Sequence, residues 1–131
     1  MKVERILDVL NDAPEVVVGD ATTREEVRAA YRAFGAMDDH GLGGRRWSGL
    51  SPWERHPGGD ELLLPLVGGY EVTMLTDEGR TVVEVAAGSL LVVPRGVWHR
   101  LHARETVVDF GVNAVGDDEI SFADDPRSEA R

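Results

Sequence analysis

The stretch that decides the fold is Gly88-Ser89-Leu90-Leu91-Val92-Val93-Pro94-Arg95-Gly96-Val97-Trp98-His99. It holds an apolar run, a tight turn around a proline and a glycine, and a second apolar segment, which together predict two short strands joined by a turn. An earlier stretch reads Trp53-Glu54-Arg55-His56-Pro57-Gly58-Gly59-Asp60-Glu61, and Gly68 closes it. The two stretches supply two histidines and two carboxylates among predicted strands, and these donor groups can hold a divalent metal ion.

The segments around both stretches also favour short strands. The hydrophobic period there is close to two residues, and glycine-rich turns interrupt it at regular intervals. The predicted strands span residues 46–50, 53–56, 61–67, 70–76, 81–85, 90–93, 99–103 and 106–113. This pattern is typical of an all-β sandwich or barrel. Since the whole unit does not repeat, we expect one barrel.

The N-terminal region follows a helical period instead. Apolar residues predict a short helix over 3–11, and the segment 16–18 is a strand candidate. A second helix, capped by the threonine at 22 or 23, is expected to run to about Phe34. The glycine-rich segment 41–44 predicts a loop.

These patterns predict three parts. Residues 1–44 are expected to form a helical segment that packs on the barrel, and residues 45–115 the barrel itself. Residues 116–131 carry many carboxylates, including Glu129, and are expected to form an acidic, solvated tail.

Composition limits the partners and the kind of site. A chain of 131 residues fits one domain, and a formal net charge of −10 disfavours nucleic acid as a partner. The absence of cysteine excludes disulfides, thiolate ligands and a cysteine nucleophile. No apolar run reaches the roughly 18 residues of a membrane span and no signal-peptide core is present, so we expect a cytoplasmic protein without a membrane partner.

Four residues of the two stretches are expected to converge. Glu54 and His56 share one face of a strand because side chains alternate along it. Glu61 begins the next strand, and antiparallel neighbours lie ~4.8 Å apart, so it can come beside His56. His99 stands at the start of a further strand, just beyond the proline–glycine turn. The four side chains predict a metal pocket.

The second stretch resembles the second motif of the cupin superfamily. That motif is a glycine, five residues, Pro-x-Gly, two residues, a histidine, three residues and an asparagine. Gly88, Pro94, Gly96 and His99 match it, whereas Ala103 stands in place of the asparagine.

The first stretch is similar to the first cupin motif, which contains His-x-His, three or four residues, a glutamate, six residues and a glycine. His56, Glu61 and Gly68 match, and Glu54 stands where the first histidine is usual. Gly49 occupies the place of the opening glycine with a spacing one residue short.

This resemblance covers roughly residues 45–113 and implies a fold, a cofactor and partners. It implies a jelly-roll barrel that is often dimeric and commonly binds Fe, Mn, Zn, Ni or another divalent ion. The expected metal ligands are Glu54, His56, Glu61 and His99. A shell with two carboxylates favours harder ions such as Mn²⁺ or Fe²⁺.

Three functions stay open. The first is a metal-dependent enzyme of the oxygenase or isomerase type that acts on a small organic molecule. In it Glu54 is either a ligand or the catalytic base beside a metal held by His56, Glu61 and His99. The second is a non-catalytic module that binds a small ligand or a metal, and the third is a metal-free barrel.

Several further residues carry predictions. Pro65 cannot donate to a strand ladder, so its strand is expected at an edge or with a bulge. The apolar run 62–67 predicts burial of both faces of that strand and favours a homodimer. His102 is expected on the face opposite His99, and Arg45 and Arg46 are expected as a surface pair, with carboxylate binding as the lesser alternative.

Overall fold

The computed structural model describes residues 2–128, so Glu129 and the rest of the predicted tail beyond 128 lie outside the described residues. The elements are α1 (Ile6–Asn11), β1 (Glu15–Val18), α2 (Arg24–Ala30), β2 (Arg32–Met37), β3 (His40–Leu50), β4 (Trp53–Arg55), β5 (Glu61–Val67), β6 (Gly69–Thr76), β7 (Gly79–Ala86), β8 (Leu91–Val93), β9 (Trp98–Ala114), β10 (Glu119–Ser121) and a 3₁₀ turn (Pro126–Ser128). No helix in this part of the chain is long and apolar enough to cross a membrane.

The strands form one ten-stranded sheet organised around β9. The C-terminal half of β9 lies between β3 and β5, and its N-terminal half pairs with β6. The strand predicted over 99–103 and the one predicted over 106–113 are thus a single strand of 17 residues. The prediction of a mostly β fold with two N-terminal helices is confirmed. Among residues 2–128 the sheet is not closed into a barrel, so the jelly-roll barrel stays a prediction.

The second helix ends earlier than its hydrophobic pattern predicts. Thr23 and Glu26 form a capping box at its start, and the helix ends at Ala30. The prediction that it runs to Phe34 is wrong, because Arg32–Met37 pairs as an extended strand with β3. Tertiary pairing here overrides helix propensity.

The glycine-rich segment 41–44 is not a loop but part of β3. A Cβ atom at Gly43 would overlap the ring of Tyr31, and one at Gly44 would overlap the carbonyl oxygen of Asp109. These glycines therefore permit close approach rather than a turn, and that is why a loop prediction fails.

The N-terminal region supplies strands as well as helices. Its first strand, β1, is the predicted segment 16–18 lengthened by one residue, and it pairs in parallel with β3. The predicted boundary between residues 44 and 45 falls inside β3.

The acidic tail is partly ordered on the sheet. Glu119–Ser121 forms β10 and pairs with β4, and Ser121 is buried. The prediction of a wholly solvated end is wrong for this segment, because backbone pairing with the edge of β4 holds it in place.

The interior combines large side chains from both ends of the chain. The fully or nearly buried large residues are Leu10, Trp47, Trp53, Val72, Val93 and Val107. The predicted bulge at Pro65 is confirmed, because the register between β5 and β9 shifts between Pro65 and Val67.

Gly49 and Gly79 allow a paired test of the contact between β1 and β3. Both have a strongly positive φ (109° and 107°), but a Cβ at Gly49 would overlap the carbonyl oxygen of Val18, whereas nothing lies near one at Gly79. We expect Gly79→Ala to cost about 1 kcal/mol of unfolding free energy from backbone strain. Gly49→Ala should cost about 1–3 kcal/mol more because of the overlap. Denaturant unfolding measures both, and equal costs would contradict the proposed close approach.

Candidate metal centre

Three strands bring the four predicted residues together. Glu54 of β4 lies directly opposite His99 of β9 in the ladder. Glu61 is the first residue of β5, and His56 follows the last residue of β4. His56, Glu61 and His99 are buried, while Glu54 is partly accessible.

The donor atoms of these residues converge on one point. The Nε2 atom of His99 lies 2.8 Å from Oε1 of Glu61, and Nε2 of His56 lies 3.4 Å from the same oxygen. Oε2 of Glu54 is 3.6 Å from Nε2 of His56. One ligand atom from each of Glu54, His56 and His99 fits within a mutual separation of 4.8 Å. The geometry can hold a metal ion.

Each imidazole is oriented by a hydrogen bond at its other nitrogen. Nδ1 of His99 donates to the carbonyl oxygen of Val97 at 3.0 Å. Nδ1 of His56 lies 2.8 Å from Oδ1 of Asp118. When both Nδ1 atoms carry protons, both Nε2 atoms face the cluster, which is the arrangement that metal-ligating histidines usually show.

Burial and mutual attraction set the protonation of the cluster. Burial alone would lower the pKa of His56, but the hydrogen bond and charge of Glu61 outweigh it and raise the pKa to about 9. The same balance raises the pKa of His99. Burial alone would raise the pKa of Glu61, but hydrogen bonds from the two histidines lower it to about 2. In the metal-free cluster these shifts favour an ionised Glu61 beside protonated histidines.

Glu54 differs from Glu61 in its electrostatic environment. Burial first, and then repulsion by Glu61, raise the pKa of Glu54. Two nearby carboxyl groups with pKa values displaced in opposite directions are the usual arrangement when one group carries a proton and the other stays ionised.

The cluster opens onto a cavity of about 650 Å³. Its lining includes Glu54 and Glu61 of the cluster together with Arg45, Trp47 and Asp109. A volume of this size accommodates a small organic molecule. The prediction of Arg45 as a surface residue is therefore wrong, because its side chain faces this cavity.

Two residues of the site were not anticipated from the sequence. Asp118 stands in an acidic run, where nothing in its spacing distinguishes it from Asp117. The side-chain amide of Asn113 is correctly hydrogen-bonded when its nitrogen faces Glu61 and donates to Oε2 at 2.5 Å. His102 lies outside the cluster, paired with Leu50 on one side.

Comparison with known families agrees with this geometry. Residues 48–110 match the family model of the cupin domain. This part of the chain is a cupin domain. The match contains Glu54, His56, Glu61 and His99, and the predicted resemblance to the cupin superfamily is confirmed.

Solved structures with the same fold are distant in sequence. A cupin-2 domain protein from Shewanella frigidimarina is 22% identical, with 65% of this chain and 79% of that one covered and a TM-score of 0.58. Protein NMB1881 from Neisseria meningitidis is 14% identical over 87% and 100% of the two chains, with a TM-score of 0.63. Hydroquinone 1,2-dioxygenase from Sphingomonas sp. TTNP3, with 4-hydroxybenzoate bound, is 18% identical over 86% and 73%, with a TM-score of 0.62. No curated protein matches the chain.

The stability of the metal-free protein is expected to fall as the pH rises from about 6.5 to about 9. Folded His56, with its pKa of about 9, keeps a proton that the unfolded chain releases near 6.5. Its contribution is therefore fully present below about 6.5 and is lost as the pH rises through about 9. We expect a loss on the order of 2–3 kcal/mol, measured by urea unfolding with a chelator present.

His56→Gln should reduce the loss of unfolding free energy between pH 6.5 and 9. His102→Gln, which changes a histidine outside the cluster, should leave this loss as in the wild type. An unchanged loss in His56→Gln would refute the assignment of this pH dependence to His56.

Proposed function

We propose that this protein is a metal-dependent cupin enzyme that acts on a small organic molecule. Its divalent ion is held by Glu54, His56, Glu61 and His99. The observation that carries the proposal is the convergence of these four donor groups, three of them buried, beside a cavity that Glu54 and Glu61 line.

The donor set fits a divalent ion. Nε2 of His56 is buried, and its nearest acceptor among residues 2–128 is Oε1 of Glu61 at 3.4 Å, a contact too poorly aligned for a regular hydrogen bond; once deprotonated, Nε2 has a lone pair to give. Two imidazoles and two carboxylates neutralise a divalent charge, and such nitrogen and oxygen donors suit Fe, Mn, Zn or Ni. A bound ion would supply Lewis-acid activation of the substrate or of water.

Glu54 is the residue we assign to proton transfer. Its raised pKa keeps it closer to neutral pH than Glu61, and it lines the cavity where a substrate would sit. Glu61 stays ionised beside the two histidines and holds them in place. In this assignment Glu54 serves as a metal ligand, a proton carrier, or both in turn.

The reaction type is proposed as oxygenase or isomerase. A dioxygenase is among the solved structures with this fold, and a cavity next to a metal ion suits either chemistry. A homodimer in the cytoplasm remains our prediction.

His56→Ala and His99→Ala should each abolish stoichiometric metal binding, because each removes one nitrogen donor from the centre. The measurement is elemental analysis after equilibration with Mn²⁺, Fe²⁺, Zn²⁺ or Ni²⁺ and removal of loose metal. His102→Ala, outside the cluster, is the control and should bind like the wild type. Full metal content in both His56→Ala and His99→Ala would refute the site.

Glu54→Gln extends the same measurement. The amide keeps an oxygen donor but loses the negative charge, so we expect weaker binding than in the wild type and stronger binding than in the histidine variants. Unchanged affinity would assign Glu54 to proton transfer alone.

Asp118 is expected to strengthen metal binding without touching the ion. Its carboxylate fixes the His56 ring through Nδ1, and loss of such a partner typically weakens metal affinity 10–100-fold. Asp118→Ala should show this loss in a competition titration with a coloured chelator.

Asp117→Ala removes a neighbouring negative charge that makes no bond to His56, and it should change the affinity far less. Equal losses in the two variants would mean that only net charge matters.

A further inference from the structure

Arg45 places a positive charge inside the cavity, away from the metal cluster. It lies on β3 and lines the same cavity as Glu54 and Glu61. Arg45 and the two glutamates of the cluster therefore border the same cavity.

The guanidinium of Arg45 has no carboxylate partner within the part of the chain that the structure describes. Asp109 lies opposite Arg45 in the ladder, yet no ion pair within 4.0 Å joins the two side chains. The guanidinium lies instead over the ring of Tyr31, 5.8 Å from its centroid. The five N–H donors of a guanidinium without a protein acceptor are available to an acceptor group of a bound ligand.

Between Arg45 and the cluster, the sheet carries glycines, which have no side chain to fill the cavity. Along β9, Asp109 is level with Arg45, and Gly111 is level with both Gly43 and Leu63. The Tyr31 ring occupies the space that a Cβ at Gly43 would need, so its hydroxyl end reaches into this middle region.

The length of the cavity fits a small molecule. Glu61 is one residue before Leu62, which pairs with Val112, so Glu61 stands about four β9 residues from the level of Arg45. At ~3.3 Å per residue this is about 13 Å between backbone levels, and the two side chains shorten it. This spacing places Arg45 and Glu61 at separate positions along the lining of the cavity.

We infer that Arg45 anchors the carboxylate of a small organic acid whose other end faces the Glu54, His56, Glu61 and His99 cluster. This inference rests on the proposed function, because it names the substrate class for the same site. Arginine matches a carboxylate with two parallel N–H···O bonds, and charge-assisted bonds of this kind are the strong ones. Trp47 and Leu63 supply apolar wall for the body of the acid.

The test compares benzoate with benzamide, which has the same shape but no charge. Affinities are measured by calorimetry on the full, chelator-treated protein, so that the carboxylate cannot bind through a metal ion. We expect the wild type to bind benzoate at least about tenfold more tightly than benzamide. In Arg45→Met the ratio of the benzoate affinity to the benzamide affinity should fall to about one. Arg45→Lys keeps the charge but not the parallel N–H groups of the guanidinium, so it should give an intermediate ratio.

Arg95→Met is the matched control. Arg95 is exposed and lies outside the cavity lining, so its loss lowers the net charge equally and should leave the wild-type ratio. Thermal unfolding of each variant confirms that it is folded. Equal binding of the two compounds to the wild type, including no binding of either, overturns the inference, as does a ratio that survives in Arg45→Met.

Metal content separates this inference from the proposed function. Stoichiometric metal in Arg45→Met together with an unchanged benzoate preference refutes only the role of Arg45. Failure of the wild type to bind metal refutes the proposed function, while the benzoate ratio of the metal-free protein still reports on Arg45.

Discussion

The continuous pairing of β9 is the constraint on which the rest of the structure depends. Its 17 residues contact β3, β4, β5 and β6, so that strands distant in sequence take their register from one template. His99 near its start is placed opposite Glu54, and Asn113 near its end comes beside Glu61. Because side chains alternate along a strand, His99, Asp109 and Asn113 lie on one face of β9, which also carries the core residue Val107.

Electrostatics then set the protonation of the cluster. Glu61 lies between two imidazoles and is held ionised by them, while Glu54 is pushed toward its neutral form by burial and by Glu61. A divalent ion would take the place of protons on the two rings. It would put positive charge beside the same carboxylates that the protonated rings face in the metal-free protein. The hydrogen bonds that the two Nδ1 atoms donate to Val97 and Asp118 fix which ring nitrogen faces inward, and this would save the cost of reorienting the rings if a metal ion bound.

Segments outside the matched cupin region complete the site. Asp118 comes from the C-terminal segment, which pairs with β4, and Tyr31 comes from the end of α2. Tyr31 can lie across β3 only because residue 43 is glycine. The cupin domain supplies the metal donors, and the flanking segments supply the positioning groups and part of the wall.

The sequence by itself determined most of the strands around the two motifs, the four residues that converge and the resemblance to the cupin superfamily. Those features are carried by residue type and short spacing, which local chemistry governs. Only the tertiary structure decided that 98–114 is one strand, that the glycines at 43 and 44 sit in a sheet, and that Arg45 and Asp118 face the site. Each of these depends on which distant backbone lies alongside, and no local pattern records that approach.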